Sequence, residues 1–356
     1  MIIAAIILGI LFLIIAHELG HFITAKFFKM RVDEFGVGLP PRLFGRKWGE
    51  TIYSLNWLPL GGFVRIRGED RDPEDLANLS PEEKSHLFMF QSPGKKALVI
   101  VAGVLINFLV GWMLLSAVFF AGTPTLVYID QIAPGSPAEM AGLSVGDVIF
   151  KYAALGEAPA NEDTSADHFL AFVNDHRGQP VSLEVMRTGK NIVVKVTPRL
   201  EPPAGEGALG LGFREVGIEP QSFPEAIGLG LEQSIEVVKV TFSGLGDLLS
   251  TIFRKGSVPD GVVGPVGIFS FAYDSGRIGL VYLLQVLGLI SINLAVLNLL
   301  PFPALDGGQL VFIVIEKVRG TLLKTSTKSI VNTAGLLMLL LLIVLISVRD
   351  ISGVLS

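Results

Sequence analysis

Cysteine is absent from the 356 residues, so no disulfide framework exists, and any zinc site must be built from His, Asp or Glu. Charge is scarce too: Asp, Glu, Lys and Arg make up 17% of the chain against 50% hydrophobic residues. The mean hydropathy of +0.59 exceeds what a soluble domain needs for its core. A net charge of -5 lacks the basic footprint of a nucleic-acid-binding surface, which excludes nucleic acid as a partner. What the chain does have is apolar length. It reads as a polytopic α-helical membrane protein of about four transmembrane helices, with room for about one soluble domain.

Residues 2–25, 97–120 and 329–348 are long enough to cross a hydrocarbon core of about 30 Å. Residues 279–300 also qualify, interrupted by Gln285, Ser291, Asn293 and Asn298. The first segment has no basic leader and no small-residue cleavage site, so it reads as a retained helix rather than a signal peptide. Residues 26–96 carry twelve Lys and Arg, residues 301–328 carry four, and the tail after 348 carries only Arg349. The positive-inside rule then makes those two loops cytoplasmic and puts both termini outside. The segment 121–278 is extracytoplasmic on this reading, and its eleven Lys and Arg do not object, because long domains translocate largely regardless of charge. Within it, Phe223 to Phe253 is apolar, yet Glu232, Glu236 and Lys239 share one helical face. That pattern predicts an amphipathic helix on the outer membrane surface rather than a fifth span.

At the end of the first apolar run stands His17-Glu18-Leu19-Gly20-His21. Residues four apart on a helix face the same way, so His17 and His21 can hold one metal ion. Glu18 is then placed as a general base for water activated by the metal. Buried structural imidazoles are the competing explanation, and the intervening Glu argues against it.

Two histidines leave a catalytic zinc site short of a ligand. Asp306 is the best candidate, in Asn298-Leu-Leu-Pro301-Phe-Pro303-Ala-Leu-Asp306-Gly-Gly. Pro301 and Pro303 must break the helix there, and broken backbone at membrane depth is tolerated only inside protein or along a cavity. The alternative is that Asp306 caps a helix beginning at Gly307. Asn293 and Asn298 serve either to join helices or to contact substrate, with nothing in the sequence to choose between them. Gly103 and Asn107, in Ala-Gly-Val-Leu-Ile-Asn, read as close helix packing.

The pairing of His-Glu-x-x-His with Asn-x-x-Pro-x-Pro-x-Leu-Asp-Gly resembles the site-2 protease family of intramembrane zinc metalloproteases, in its bacterial regulator-of-sigma-E branch. The resemblance extends through Phe35-Gly36-Val37-Gly38, Pro59-Leu60-Gly61-Gly62-Phe63-Val64, Gly103 to Asn107, and Gly264-Pro265-Val266-Gly267-Ile268. It implies zinc on His17, His21 and Asp306, with Glu18 as the base. It also implies a membrane-associated β-hairpin or sheet in the cytoplasmic loop. The β-prone runs Thr51-Ile-Tyr-Ser-Leu and Phe63-Val-Arg-Ile-Arg support one, joined through a Pro and Gly turn region. Such a hairpin either captures an unwound substrate as an added strand or only plugs the site.

Residues 125–200 resemble a permuted bacterial PDZ domain, an α+β fold, on Val127-Tyr-Ile-Asp-Gln-Ile, Ala133 to Leu143 and Gly146-Asp147-Val148-Ile149. The usual short turn after that last strand is replaced here by the longer Lys151 to Asp167. The expected organisation is therefore a first span (1–25), a cytoplasmic loop with the hairpin (26–96), a second span (97–120) and a PDZ domain (121–200). A juxtamembrane region (201–278), a third span (279–300), the Leu-Asp-Gly connection (301–328) and a fourth span (329–348) follow.

The function expected from all this is intramembrane zinc endoproteolysis in the bacterial inner membrane. Single-span membrane proteins would be the substrates, of the anti-sigma-factor or signal-peptide-remnant type. Peptide C-termini or unfolded segments would bind the PDZ domain. Asn293, Asn298, Pro301, Gly61, Gly62 and Phe63 are the expected substrate contacts. The rival is a non-catalytic PDZ-bearing membrane scaffold with a structural metal.

Overall fold

The computed structural model describes residues 1–69, 76, 78–157, 164–187, 190–255 and 263–355. Among these, four helices are long and apolar enough to cross a membrane: Ile2–Phe27, Pro93–Ala121, Leu280–Leu299 and Thr325–Asp350. They coincide with the four expected segments, each within a few residues.

In chain order the elements begin with α1 (Ile2–Phe27), the paired strands β1 (Val32–Trp48) and β2 (Thr51–Ile66), the short α2 (Pro81–Ser85) and α3 (Pro93–Ala121). Next come β3 (Thr123–Ile132), α4 (Pro137–Met140), β4 (Val148–Ala154), α5 (Ala166–Asp175), β5 (Val181–Arg187), β6 (Lys190–Val196) and β7 (Leu211–Ile218). The chain closes with α6 (Phe223–Lys255), α7 (Pro265–Ile278), α8 (Leu280–Leu299), α9 (Asp306–Arg319) and α10 (Thr325–Leu355). Two compact units result. One comprises Met1–Leu115, Gly230–Phe269 and Gln285–Ser356, the other Ser116–Leu229 and Ser270–Leu284.

In the first unit the spanning helices touch through small residues, as membrane helices do where nothing but close contact holds them. A Cβ on Gly20 of α1 would lie 2.5 Å from the Ala102 carbonyl oxygen of α3, and one on Gly111 of α3 would strike Ile292 of α8. The chain leaves α8 at Leu299 because Pro301 and Pro303 cannot continue it. Helix α9 ends at Gly320, whose φ of +69° suits a helix C-terminus that only glycine enters without strain.

The β-rich loop forms a sheet, one of the two expected forms, but the two β-prone runs are not its paired strands. Thr51–Leu55 and Phe63–Arg65 do not pair with each other; both flank Glu34–Val37, which pairs Phe35 with Tyr53 on one side and with Val64 on the other. Arg42–Trp48 then pairs back onto Thr51–Asn56, so four strand segments lie side by side, with Gly62–Ile66 outermost. The reason is Glu34, which is 4% exposed. Its carboxylate accepts from Arg42 at 2.6 Å, Ser54 at 2.7 Å and Arg65 at 3.3 Å, one partner from each of the other three segments. A buried carboxylate is tolerable only with such partners, and here they fix the register.

A second buried charge cluster joins three helices. Glu316 of α9 accepts from Lys96 of α3 at 2.9 Å and Lys328 of α10 at 2.6 Å, and the side chains of Lys96 and Glu316 are each 5% exposed. Burial alone would push the Glu316 carboxyl up, but Lys328, Lys96 and the Leu323 N–H outweigh it and hold the group below the usual carboxylate range. A carboxyl whose folded pKa is depressed adds stability above its unfolded value of about 4.3. That increment is lost as pH falls through the lower, folded value. The melting temperature of the purified chain is therefore expected to hold from neutral pH to about 5 and to drop below about 4. Glu316→Gln should melt lower at neutral pH and lose this acid limb; an unchanged acid limb would refute the assignment.

The second unit holds a five-stranded antiparallel sheet in the order β6-β5-β4-β3-β7. Its core is formed by residues including Val127, Ile129, Ile149, Phe169, Leu183 and Val185. Phe169 of α5 meets Tyr152 and Phe213 edge-on at centroid distances of 5.4 and 5.6 Å. Fully buried Asp147 is held by Arg187 at 2.7 Å and by the Ser144 N–H at 2.9 Å. The expected domain limit at residue 200 is too early: β7 pairs with β3 from Thr123↔Ile218 to Ile132↔Leu211. Its pairing partner is some 80 residues away, which no local pattern announces. Of the long Lys151–Asp167 stretch, residues 158–163 lie outside the described residues. Helix α6 is continuous over Phe223–Lys255 and is not among the candidate spans.

Candidate metal centre

Helix α1 carries His17 and His21 on one face, and the chain reversal after α8 brings Asp306 to them. His17 Nε2 and His21 Nε2 are 3.1 Å apart. Asp306 Oδ2 lies 3.1 Å from the first and 3.4 Å from the second. Among the described residues this is the group whose ligand atoms are clustered closely enough for one ion. Four ligands placed tetrahedrally at about 2.0–2.1 Å from zinc are about 3.3–3.4 Å apart, so the triangle has the edge lengths that such an ion needs. Asp306 Oδ2 is also buried without a hydrogen-bond partner, a cost that a metal bond removes.

Asp306 is the first residue of α9, and the capping position belongs to Leu305. The side chain is thus not capping the helix it begins. Gly307 and Gly308 make the reversal possible, since a Cβ on either would strike the carbonyl oxygens of Leu300 and Phe302 respectively. Burial would raise the Asp306 carboxyl, but the neighbouring imidazoles override that and hold it down at about 2. It is a carboxylate at any physiological pH.

The far ring nitrogens set the tautomers. His21 Nδ1 donates to the Val99 carbonyl of α3 at 2.8 Å, which leaves Nε2 with its lone pair for a metal. His17 Nδ1 faces the amide of Asn107, also on α3, at 3.3 Å. Asn107 is 1% exposed, and its Oδ1 has no partner while Nδ2 faces the ring. Turning the amide by half a rotation satisfies both: Oδ1 accepts from Nδ1–H, and His17 takes the same tautomer as His21. Gly103, one turn before Asn107, would place a Cβ 2.5 Å from His21 Nε2 and 2.8 Å from His17 Cε1. So Gly103 and Asn107 do more than join helices: one leaves room for the imidazoles and the other orients one of them. The only sequence signal for this was their spacing of four on an apolar helix.

Glu18 is half-buried and shares with His21 and Asp306 a cavity of about 160 Å³, also lined by Phe63, Val64 and Gln309. A Cβ on Gly62 would sit 3.1 Å from Glu18 Cγ, so the outermost strand segment of β2 runs directly past the carboxylate. Among the described residues no strand pairs with its far side.

Of the expected substrate contacts, only Phe63 lines this cavity. Gly61 has φ +91° at the turn into the segment. Asn293 is engaged elsewhere: its Oδ1 accepts from Thr241 of α6 at 2.6 Å and its Nδ2 donates to the Leu289 carbonyl at 3.0 Å. Asn298 is half-buried near the end of α8, and Pro301 is exposed beyond it.

Four membrane-length helices, a His-His-Asp ligand triangle and a carboxylate beside a cavity define the class: an integral membrane protein with a hydrolase-like metal centre. The chain belongs to Peptidase family M50, the site-2 protease family, whose sequence model matches residues 5–342. It is similar to a protein of Nostoc sp. named as a zinc metalloprotease, at 34% identity over 95% of this chain and 92% of that one. A Clostridium perfringens protein with the same kind of name is 30% identical over 95% of both chains. The zinc metalloprotease RasP of Geobacillus kaustophilus is 28% identical, again over 95% of both.

Proposed function

We propose that this chain is a zinc endopeptidase of the bacterial inner membrane that hydrolyses a peptide bond within, or at the edge of, a substrate's transmembrane helix. The observation that carries the reading is the convergence of His17 Nε2, His21 Nε2 and Asp306 Oδ2 beside a cavity that Glu18 also lines. Bound there, zinc supplies a Lewis acid that polarises a carbonyl and lowers the pKa of water toward about 7. The Glu18 carboxylate takes the proton of the attacking water as the C–O bond forms, then delivers it to the amide nitrogen as the C–N bond breaks. Val99 and Asn107 hold the Nδ1 protons of His21 and His17, which turns each Nε2 toward the position the metal would take.

A helix hides its peptide bonds, so cleavage needs an unwound segment. Gly62–Ile66, with its unpaired edge beside Glu18, supports capture of that segment as an added strand, with Gly61, Gly62 and Phe63 in contact. Asn298 in the last turn of α8 and Pro301 just beyond it remain as contacts; Asn293 becomes one only by releasing Thr241. Substrates are single-span membrane proteins of the anti-sigma-factor or signal-peptide-remnant kind. The sheet of β3 to β7 with α5 is taken as a PDZ domain, extended to Ile218, that binds peptide C-termini or unfolded segments outside the membrane. The distribution of Lys and Arg supports that side for it and for both termini.

Metal analysis of the purified full chain is expected to give one zinc per chain. Cleavage of a reconstituted single-span substrate should stop on chelation and return with added zinc. Full cleavage by the metal-free chain would refute the proposal.

A further inference from the structure

Two residues before Asp306, Ala304 has φ +74°, a left-handed conformation that among the described residues only one other non-glycine, Lys29, adopts. An L-alanine persists there only when its surroundings over-determine it. The clamp comes from the last spanning helix. Asn332 Oδ1 of α10 accepts the Ala304 N–H at 3.2 Å. One turn further along, a Cβ on Gly335 would lie 2.5 Å from Pro303 Cβ and 2.7 Å from the Pro303 carbonyl oxygen. One turn before Asn332, Lys328 is paired with Glu316 near the far end of α9. Residues 328, 332 and 335 are spaced four and three apart and so share one helix face. That face lies along both the ligand-bearing turn and the helix it starts.

We infer that Asn332 is a positioning residue for the metal centre: by holding Ala304 left-handed it aims Asp306 at His17 and His21, with Gly335 leaving the space the turn occupies. Asn332 touches none of the three ligand atoms. Its effect passes through the backbone of residues 304–306. Without the Oδ1 acceptor, the Ala304 N–H loses its bond and residue 304 relaxes toward negative φ, which swings Asp306 away from the imidazoles. The inference rests on the reading of His17, His21 and Asp306 as zinc ligands, but part of its test does not.

The full-length chain in detergent is compared with Asn332→Ala, Asn332→Asp and the double variant Asn332→Ala/Ala304→Gly. Zinc affinity is read by competition with a chelating dye, and hydrogen exchange of residues 302–308 is read on metal-free protein. Asn332→Ala should weaken zinc binding about 10–100-fold, the range seen for partners that orient a ligand, and should speed exchange at residues 304–306. Asn332→Asp keeps an acceptor oxygen and should stay close to wild type in both. Ala304→Gly should restore most of the lost zinc affinity, because glycine adopts this φ without a clamp. A role confined to general stability would lower the melting temperature of Asn332→Ala with no recovery by Ala304→Gly, and that result would overturn the inference. So would wild-type exchange and zinc affinity in Asn332→Ala. A wild-type chain that binds no zinc would instead remove the proposed function, and the exchange data alone would then decide whether Asn332 holds the turn.

Discussion

Glu18→Gln is expected to slow cleavage of a single-span substrate by about 10²–10⁴-fold while one zinc per chain remains bound. The two side chains are nearly isosteric, so the cavity that Glu18 lines with His21, Phe63 and Asp306 keeps its shape. What disappears is the ability to accept and return a proton. The retained zinc follows from the geometry: the ligand triangle is formed by His17, His21 and Asp306, and Glu18 is not part of it. Substrate KM should change little, because the strand edge at Gly62–Ile66 is untouched, so the loss falls on kcat. Undiminished turnover would remove Glu18 from the chemistry and with it the proposed mechanism.

Asp306→Ala is the second large effect, and it falls on the metal rather than on the proton. Losing the Asp306 oxygen leaves two imidazole nitrogens 3.1 Å apart and no anionic ligand. Zinc affinity should drop by more than the roughly 10–100-fold seen when only an orienting partner is lost, and cleavage should fall to background. The fold should hold, since Asp306 makes no helix cap and its Oδ2 has no hydrogen-bond partner to orphan. Metal analysis alongside circular dichroism checks both halves. Wild-type zinc content in a well-folded Asp306→Ala chain would show that a different third ligand operates.

The parts of this molecule that are periodic or chemically unusual could be read from the sequence. Four apolar runs of spanning length, two histidines four apart, and an aspartate just past two helix-breaking prolines each announce themselves locally. What could not be read depends on which distant residues meet. Glu34–Val37 lies between Thr51–Leu55 and Phe63–Arg65 because buried Glu34 needs Arg42, Ser54 and Arg65 around it, and alternation along a strand does not state its neighbours. Strand β7 falls after a loop that looks like a linker, and only its pairing with β3 makes it part of the sheet. In the sequence Asn107 reads as a polar residue that joins two helices, and only the fold turns it to His17 Nδ1. Ala304 gives no warning at all, since alanine, unlike glycine or asparagine, has no preference for a positive φ.

The glycine contact between α1 and α3 bears on how, under the proposed function, a polypeptide would arrive from the bilayer. At Gly20 the two helix backbones meet with no room for even a methyl group, one residue from His21. Gly111 against Ile292 seals α3 to α8 in the same way. The α1–α3 seam belongs to the wall that holds the imidazoles in their tautomers, through Val99 and Asn107 of α3. Under the proposed function, an unwound segment would reach Glu18 along the open strand edge at Gly62–Ile66, so the edge that straightens a substrate would also be its doorway.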